Sequence, residues 1–198
     1  GKIMKKTISL FARNYESDCF VRDEIVPGAE WVVAGEGIAT RKYDGTACLV
    51  QDEKLYRRYE LKPGHAIPKD FVPATESDPI TGKIQGWLPV GNGPEDKWHR
   101  EAFFFGMPDG TYELVGPKIQ GNPEHSADHV LLAHETMQPL VDCPRDFEGI
   151  RAYLASHDIE GIVWHHPDGR WVKIKGKDFG LKRKSVSEAA LAGSQGFY

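Results

Sequence analysis

Five residues have types and settings suited to chemistry on a charged substrate. They are Lys42 in RKYDGTACLV, Glu113 in TYELV, Glu160 in IEGIV, and Lys173 with Lys175 in WVKIK. A lysine amine becomes a nucleophile only after losing its proton, and with an ordinary pKa of about 10.4 almost none of it is competent at neutral pH. Nearby positive charge lowers that pKa, and the same charge neutralises anionic groups. The K-x-D-G pattern around Lys42 would arise by chance about 0.1 times in a chain of this composition, so its meaning depends on what surrounds it.

The elements that must position these residues are read as mostly β. From Trp31 the runs WVVAG, GIATRKY, TACLVQ and KLYRRYEL, separated by Gly- and Asp-rich turns, predict an antiparallel meander. GTYELVG and HVLLAHET predict further strands. EGIVWHHPDGRWVKIKG predicts a hairpin whose second arm puts Lys173 and Lys175 on one face, because side chains two apart in a strand point the same way. A helix is predicted over 95–105, with Trp98, Ala102 and Phe105 on one side, and a second in RDFEGIRAYLASH, with Phe147, Ile150 and Leu154 as its buried stripe.

The length of 198 residues suits one sizeable domain with its own core. Residues 1–28 are expected to be a strand and loop packed on a main domain of 29–184, with 185–198 as a tail. Three scattered cysteines predict neither a disulfide framework nor a zinc knuckle. No apolar run approaches a membrane span and no signal peptide is seen, so the expected setting is cytoplasmic, without a membrane partner. The net charge of −4 hides a local excess of +6 between Arg170 and Lys184, where phosphate groups could gather.

The order of K-Y-D-G, the strand glutamate, E-G-I-V and K-I-K resembles the covalent nucleotidyltransferase superfamily of polynucleotide ligases and capping enzymes. The words ATRKYDGTACLV and DGTYELVGPKIQGNPE are similar to ATP-dependent RNA ligases, specifically small phage and bacterial relatives of the vertebrate 5′ to 3′ RNA ligase. The resemblance covers roughly residues 29–184. It implies an α+β nucleotidyltransferase (adenylation) domain of antiparallel sheets with flanking helices and the nucleotide in a groove between the sheets. It also implies three steps, namely AMP transfer from ATP to Lys42, transfer to an RNA 5′-phosphate, and sealing by a 3′-hydroxyl.

On that resemblance Lys42 is the nucleophile, and Asp44, Glu113, Lys173 and Lys175 assist it. Arg41, Arg57, Glu113, His134, Glu160, Lys173 and Lys175 would contact the nucleotide. Glu160, Asp44 and Glu113 would hold Mg²⁺ or Mn²⁺. Arg57 is preferred over Arg58, since strand alternation lets only one face the pocket. His134 or Leu132 would stack on adenine. No room is found after K-x-K for an oligonucleotide-binding barrel, so an accessory domain or protein is expected to help grip RNA.

Each residue also has a plain structural reading. Lys42 could be a surface lysine beside a turn, the two glutamates could be salt-bridged, and Lys173 with Lys175 could guard a sheet edge. A metal site at His125, His129 and His134 is disfavoured, because their spacing needs a helix where strand and loop are read. His165 and His166 are read as solvated. A DNA ligase, a capping-type enzyme, or an RNA end-binding module without sealing activity are the alternatives.

Overall fold

The computed structural model describes residues 7–183, so the expected tail at 185–198 and Lys184 of the basic segment lie outside the described residues. In chain order the first strands are β1 (Ile8–Ser9), β2 (Phe11–Arg13) and β3 (Val21–Ile25), followed by the single-turn helix α1 (Glu30–Val33). Then come β4 (Ile38–Lys42), β5 (Thr46–Gln51), β6 (Lys54–Leu61), β7 (Val72–Pro73) and β8 (Ile84–Pro89). They are followed by α2 (Lys97–Ala102), β9 (Gly110–Val115), β10 (Val130–Ala133), α3 (Phe147–Ser156), β11 (Gly161–His165) and β12 (Trp171–Lys175). The architecture is mixed α and β, with largely antiparallel sheets and few helices.

The chain divides into two compact units. Among the described residues one is continuous, Asp44–Met137, and the other joins residues 7–43 to 138–183. The continuous unit holds a six-stranded antiparallel sheet in the order β10-β9-β5-β6-β8-β7. One face carries Cys48, Val50, Leu55, Tyr112 and Leu114, which pack with Ala102 and Met107 into an apolar core. Burial of that apolar area is the main force holding the sheet to α2.

The discontinuous unit holds a sheet in the order β1-β12-β11-β4, parallel only between β1 and β12. Ile162, Trp164, Val172 and Ile174 point to one side, where Ile150 and Leu154 of α3 complete a core with Leu10, Phe11, Trp31 and Val32. Helix α3 begins where read, because the Asp146 side chain accepts from the Gly149 N–H at 3.1 Å and satisfies an otherwise orphaned donor. Its Ile150 and Leu154 are buried one turn apart.

Several sequence expectations are corrected. WVV forms the helix α1 rather than a strand, burying the adjacent Trp31 and Val32, which alternation could not do. The predicted meander breaks at Asp44-Gly45: β4 pairs with β11, while β5 pairs with β6 and β9. Helix α2 covers only Lys97–Ala102, since Phe103 is extended with ψ 139°, and Phe105 is left 76% exposed. HVLLAHET is strand only to Ala133, with His134–Thr136 in a 3₁₀ turn. The N-terminal segment is more regular than expected, as β2 and β3 form a hairpin.

Candidate functional site

In the discontinuous unit the hairpin of β11 and β12 forms as predicted, and strand register gathers the lysines. Lys42 on β4 pairs with Gly161 on β11, and Gly161 pairs with Lys175 on β12. The next row on the same face is Thr40, Val163 and Lys173. Cross-strand partners share a face, so Lys42, Lys173 and Lys175 stand together on the side away from α3.

Gly161 is what lets two lysines flank one position. A Cβ there would sit 2.1 Å from the Ile174 carbonyl oxygen, so the middle of the row cannot carry a side chain. Gly45, the glycine of K-Y-D-G, is similarly pressed, since a Cβ there would lie 2.1 Å from the Leu114 carbonyl oxygen. Both motif glycines therefore have steric reasons to be glycine.

Glu160, one residue before β11, accepts a hydrogen bond from Lys42 Nζ at 3.0 Å, with the two side chains 25% and 18% exposed. Burial and the charge of Lys42 push the Lys173 ammonium below the usual lysine range, with Asp178 and Glu160 opposing. Burial pushes Lys175 down to about 8, against the attraction of Asp178 and with help from Lys177 and Lys173. Arg41 points to the other face of β4 by alternation and lies 4.3 Å over the Tyr43 ring.

His165 is not a solvated turn residue. It ends β11, its Nε2 lies 2.9 Å from Thr40 Oγ1, and its ring meets Trp171 edge-on at 4.7 Å. The basic segment is also less concentrated than its formal charge. Arg170 pairs with Asp168 at 2.8 Å and Arg183 with Asp158 at 3.0 Å, so part of the excess is answered locally.

Asp44, Glu113, Arg57, Arg58 and His134 belong to the continuous unit. Glu113 on β9 points away from the apolar core, on the face shared with Thr111, Ala47 and Leu132. His134 does not stand free to stack on a base: its Nε2 lies 3.0 Å from Glu113 Oε1 and its Nδ1 2.9 Å from Thr111 Oγ1. The Asp44 backbone N–H donates to Glu124 Oε2 at 2.6 Å.

The ladder places Arg57 and Arg58 on opposite faces of β6. Arg57 pairs with Cys48 across the ladder and so lies on the apolar face, where its Nε is 3.3 Å from the buried Asp96 carboxylate. Arg58 shares the face of Glu113, its guanidinium 5.0 Å from the Trp87 ring centre and its Nε donating to Gln85 Oε1 at 3.3 Å. Burial lowers the Arg58 pKa while Glu113 and Glu60 raise it. Sequence reasoning stated the alternation correctly but had no register with which to choose.

Among the described residues no group of three or more His, Cys, Asp or Glu side chains is gathered to hold a metal ion. No described helix is long and apolar enough to cross a membrane. Arg13 and Asp178 carried no motif, yet Asp178 is 1% exposed and binds both Arg13 and the backbone of Lys175.

Residues 105–193 match the family model described as RNA ligase 1, a range that includes Glu113, Glu160, Lys173 and Lys175 and begins after Lys42. The chain is similar to RNA ligase 1 of Rattus norvegicus, 28% identical over 223 aligned positions that cover 73% of this chain and 67% of the relative. RNA ligase 1 of Pongo abelii is 29% identical, covering 62% of this chain and 50% of the relative. For Danio rerio RNA ligase 1 the identity is 25%, over 63% of this chain and 46% of the relative. The family match and these relatives agree, and the chain is similar to RNA ligase 1.

Proposed function

We propose that this chain is an ATP-dependent RNA ligase that works through a lysyl-AMP intermediate on Lys42. The observation that carries the reading is the row Lys42, Gly161 and Lys175 with Lys173 alongside and Glu160 at 3.0 Å from Lys42 Nζ. Three ammonium groups on one sheet face bind a polyphosphate through charge and hydrogen bonds. The glutamate hydrogen-bonds the proton that the attacking amine must lose.

In the first step the lone pair of the deprotonated Lys42 Nζ forms the bond to the α-phosphorus of ATP, the bond from that phosphorus to the bridging oxygen breaks, and pyrophosphate leaves with the electron pair of the broken bond. Lys173 and Lys175 stabilise the charge developing on the phosphates. In the second step an RNA 5′-phosphate oxygen attacks the same phosphorus and frees the amine. In the third, a 3′-hydroxyl oxygen attacks the RNA phosphate, loses its proton, and AMP leaves. Of the two arginines, Arg58 lies off the apolar face of its sheet, on the side of Glu113.

Carboxylate oxygens suit a hard cation such as Mg²⁺ or Mn²⁺, and one carboxylate together with phosphates and water can hold such an ion. Glu160 is the residue assigned to it, and the cation would add positive charge beside the phosphates.

The test is intact mass after incubation with ATP and Mg²⁺. A gain of one AMP on Lys42, in an acid-labile and base-stable bond, is expected; no gain, or a gain retained in Lys42→Ala, refutes the reading. GTP against ATP, then RNA against DNA ends, separates the capping-type and DNA ligase alternatives. Sealing of pre-adenylylated RNA by Lys42→Ala asks whether this chain alone can align the two ends.

A further inference from the structure

What holds Lys175 in place is a relay from a segment without any motif. Lys175 ends β12, and its backbone N–H donates to Asp178 Oδ2 at 2.8 Å. The other carboxylate oxygen, Oδ1, accepts from Arg13 Nη2 at 2.5 Å. Both oxygens of a side chain that is only 1% exposed are thereby used, one on the lysine backbone and one on the arginine. Arg13 is itself fixed, since its Nη1 donates to the Cys19 carbonyl at 3.1 Å, at the end of the turn joining β2 to β3. Strand β1 runs beside β12, pairing Ser9 with Lys173, so the N-terminal segment meets the K-x-K strand at two levels.

We propose that Arg13 is a positioning residue for Lys175, acting through Asp178 to set the place and charge of a phosphate-binding lysine; this rests on the reading of Lys175 given above. A buried carboxylate with no cation destabilises its surroundings, and Arg13 is the guanidinium that compensates it. Lys175 feels the same carboxylate. Its pKa of about 8 reflects burial, opposed by Asp178 and assisted by Lys177 and Lys173. Lys42 lies beyond Gly161 in the same row, with Glu160 hydrogen-bonded to it. With Arg13 gone, the full charge of Asp178 falls on Lys175, which then keeps its proton to higher pH.

The experiment reads Lys175 directly and without nucleotide. Lysines of the full chain are ¹³C-dimethylated and titrated by NMR, with the Lys175 signal identified by its loss in Lys175→Arg. Arg13→Gln should move the Lys175 titration upward, Asp178→Asn should move it downward, and Arg13→Lys should leave it at the parental pH because the cation is retained. In adenylylation assays at pH 7, where Lys175 is mostly charged in either protein, Arg13→Gln should raise the KM for ATP through misplacement of Lys175, and Arg13→Lys should restore part of it. An unchanged Lys175 titration in Arg13→Gln overturns the proposal. Should that variant not fold, the isosteric Asp178→Asn decides, and a parental titration there overturns it as well. A parent that takes up no AMP while the titrations still shift refutes the ligase reading, and with it the phosphate role of Lys175, yet leaves the relay from Arg13 demonstrated.

Discussion

Lys42 Nζ and Glu160 Oε2 stand 3.0 Å apart, the lysine closing β4 and the glutamate one residue ahead of β11. The strand pairing of Lys42 with Gly161 brings the two side chains within reach, so the contact follows from register. A partly buried ion pair of this kind contributes on the order of 1 kcal/mol, which makes it a weak reason for either residue from stability alone.

Lys42 can accordingly be replaced with little loss of fold. Lys42→Ala and Lys42→Arg should change the unfolding free energy by no more than about 1 kcal/mol while both abolish the AMP mass gain, because arginine keeps its proton and cannot attack phosphorus. Denaturant melts and intact mass check the two halves separately. Labelling of Lys42→Arg at the parental rate would remove Lys42 from the reaction.

Lys175 gives a pH signature. A lysine with its pKa lowered to about 8 is cationic below that pH and loses its charge above it, so affinity for an anion falls as pH rises through that value. The kcat/KM for ATP should carry a descending limb near pH 8 that Lys175→Arg flattens, since arginine remains charged across the range. A limb unchanged by the substitution would assign it to another group.

The lysines of this site were legible in the sequence because strand alternation is a local rule, and the spacing of Lys173 and Lys175 needs nothing more. The hairpin was legible for the same reason, with His166 to Gly169 as its turn. What brings Lys42 to them was not legible from period alone: β4 pairs with β11 across more than a hundred residues of chain, and the meander reading placed it beside β5. Trp31 to Val33 misled because three apolar residues in a row suit a buried strand or a helical turn equally, and tertiary burial decided. Arg13 and Asp178 had no signal at all, since a buried ion pair between distant segments leaves no pattern along the chain.

The two arginines of β6 should separate stability from function. Arg57 faces the apolar side beside Asp96, whose side chain is 4% exposed, so Arg57→Ala leaves a buried carboxylate without its cation and should cost about 3 kcal/mol. Arg58 lies on the opposite face with Glu113, and Arg58→Ala should retain most stability while weakening AMP transfer or RNA joining. Chemical denaturation alongside a labelling time course distinguishes them. The reverse pattern, with Arg57→Ala folded and inactive and Arg58→Ala unstable, would restore the choice of Arg57.

His99 of α2 provides the acid counterpart in the same unit. It is 9% exposed, and neither ring nitrogen has a hydrogen-bond partner among the described residues. Burial lowers its pKa, Asp96 opposes that, and Arg57 adds to it. The folded chain therefore takes up this proton at lower pH than the unfolded chain, whose histidine titrates near 6.5. Stability from His99 is complete above about pH 6.5 and is lost as pH falls from there through the lower folded value. His99→Leu, similar in size and with no polar atoms to leave unsatisfied, should be neutral or stabilising at pH 7.5. It should also make the decline between pH 6.5 and 5 shallower, because the unfolded state then has one proton fewer to gain. Urea midpoints at a series of pH values measure the slope, and parental and variant curves running parallel through that window would exclude His99 as a source of acid sensitivity.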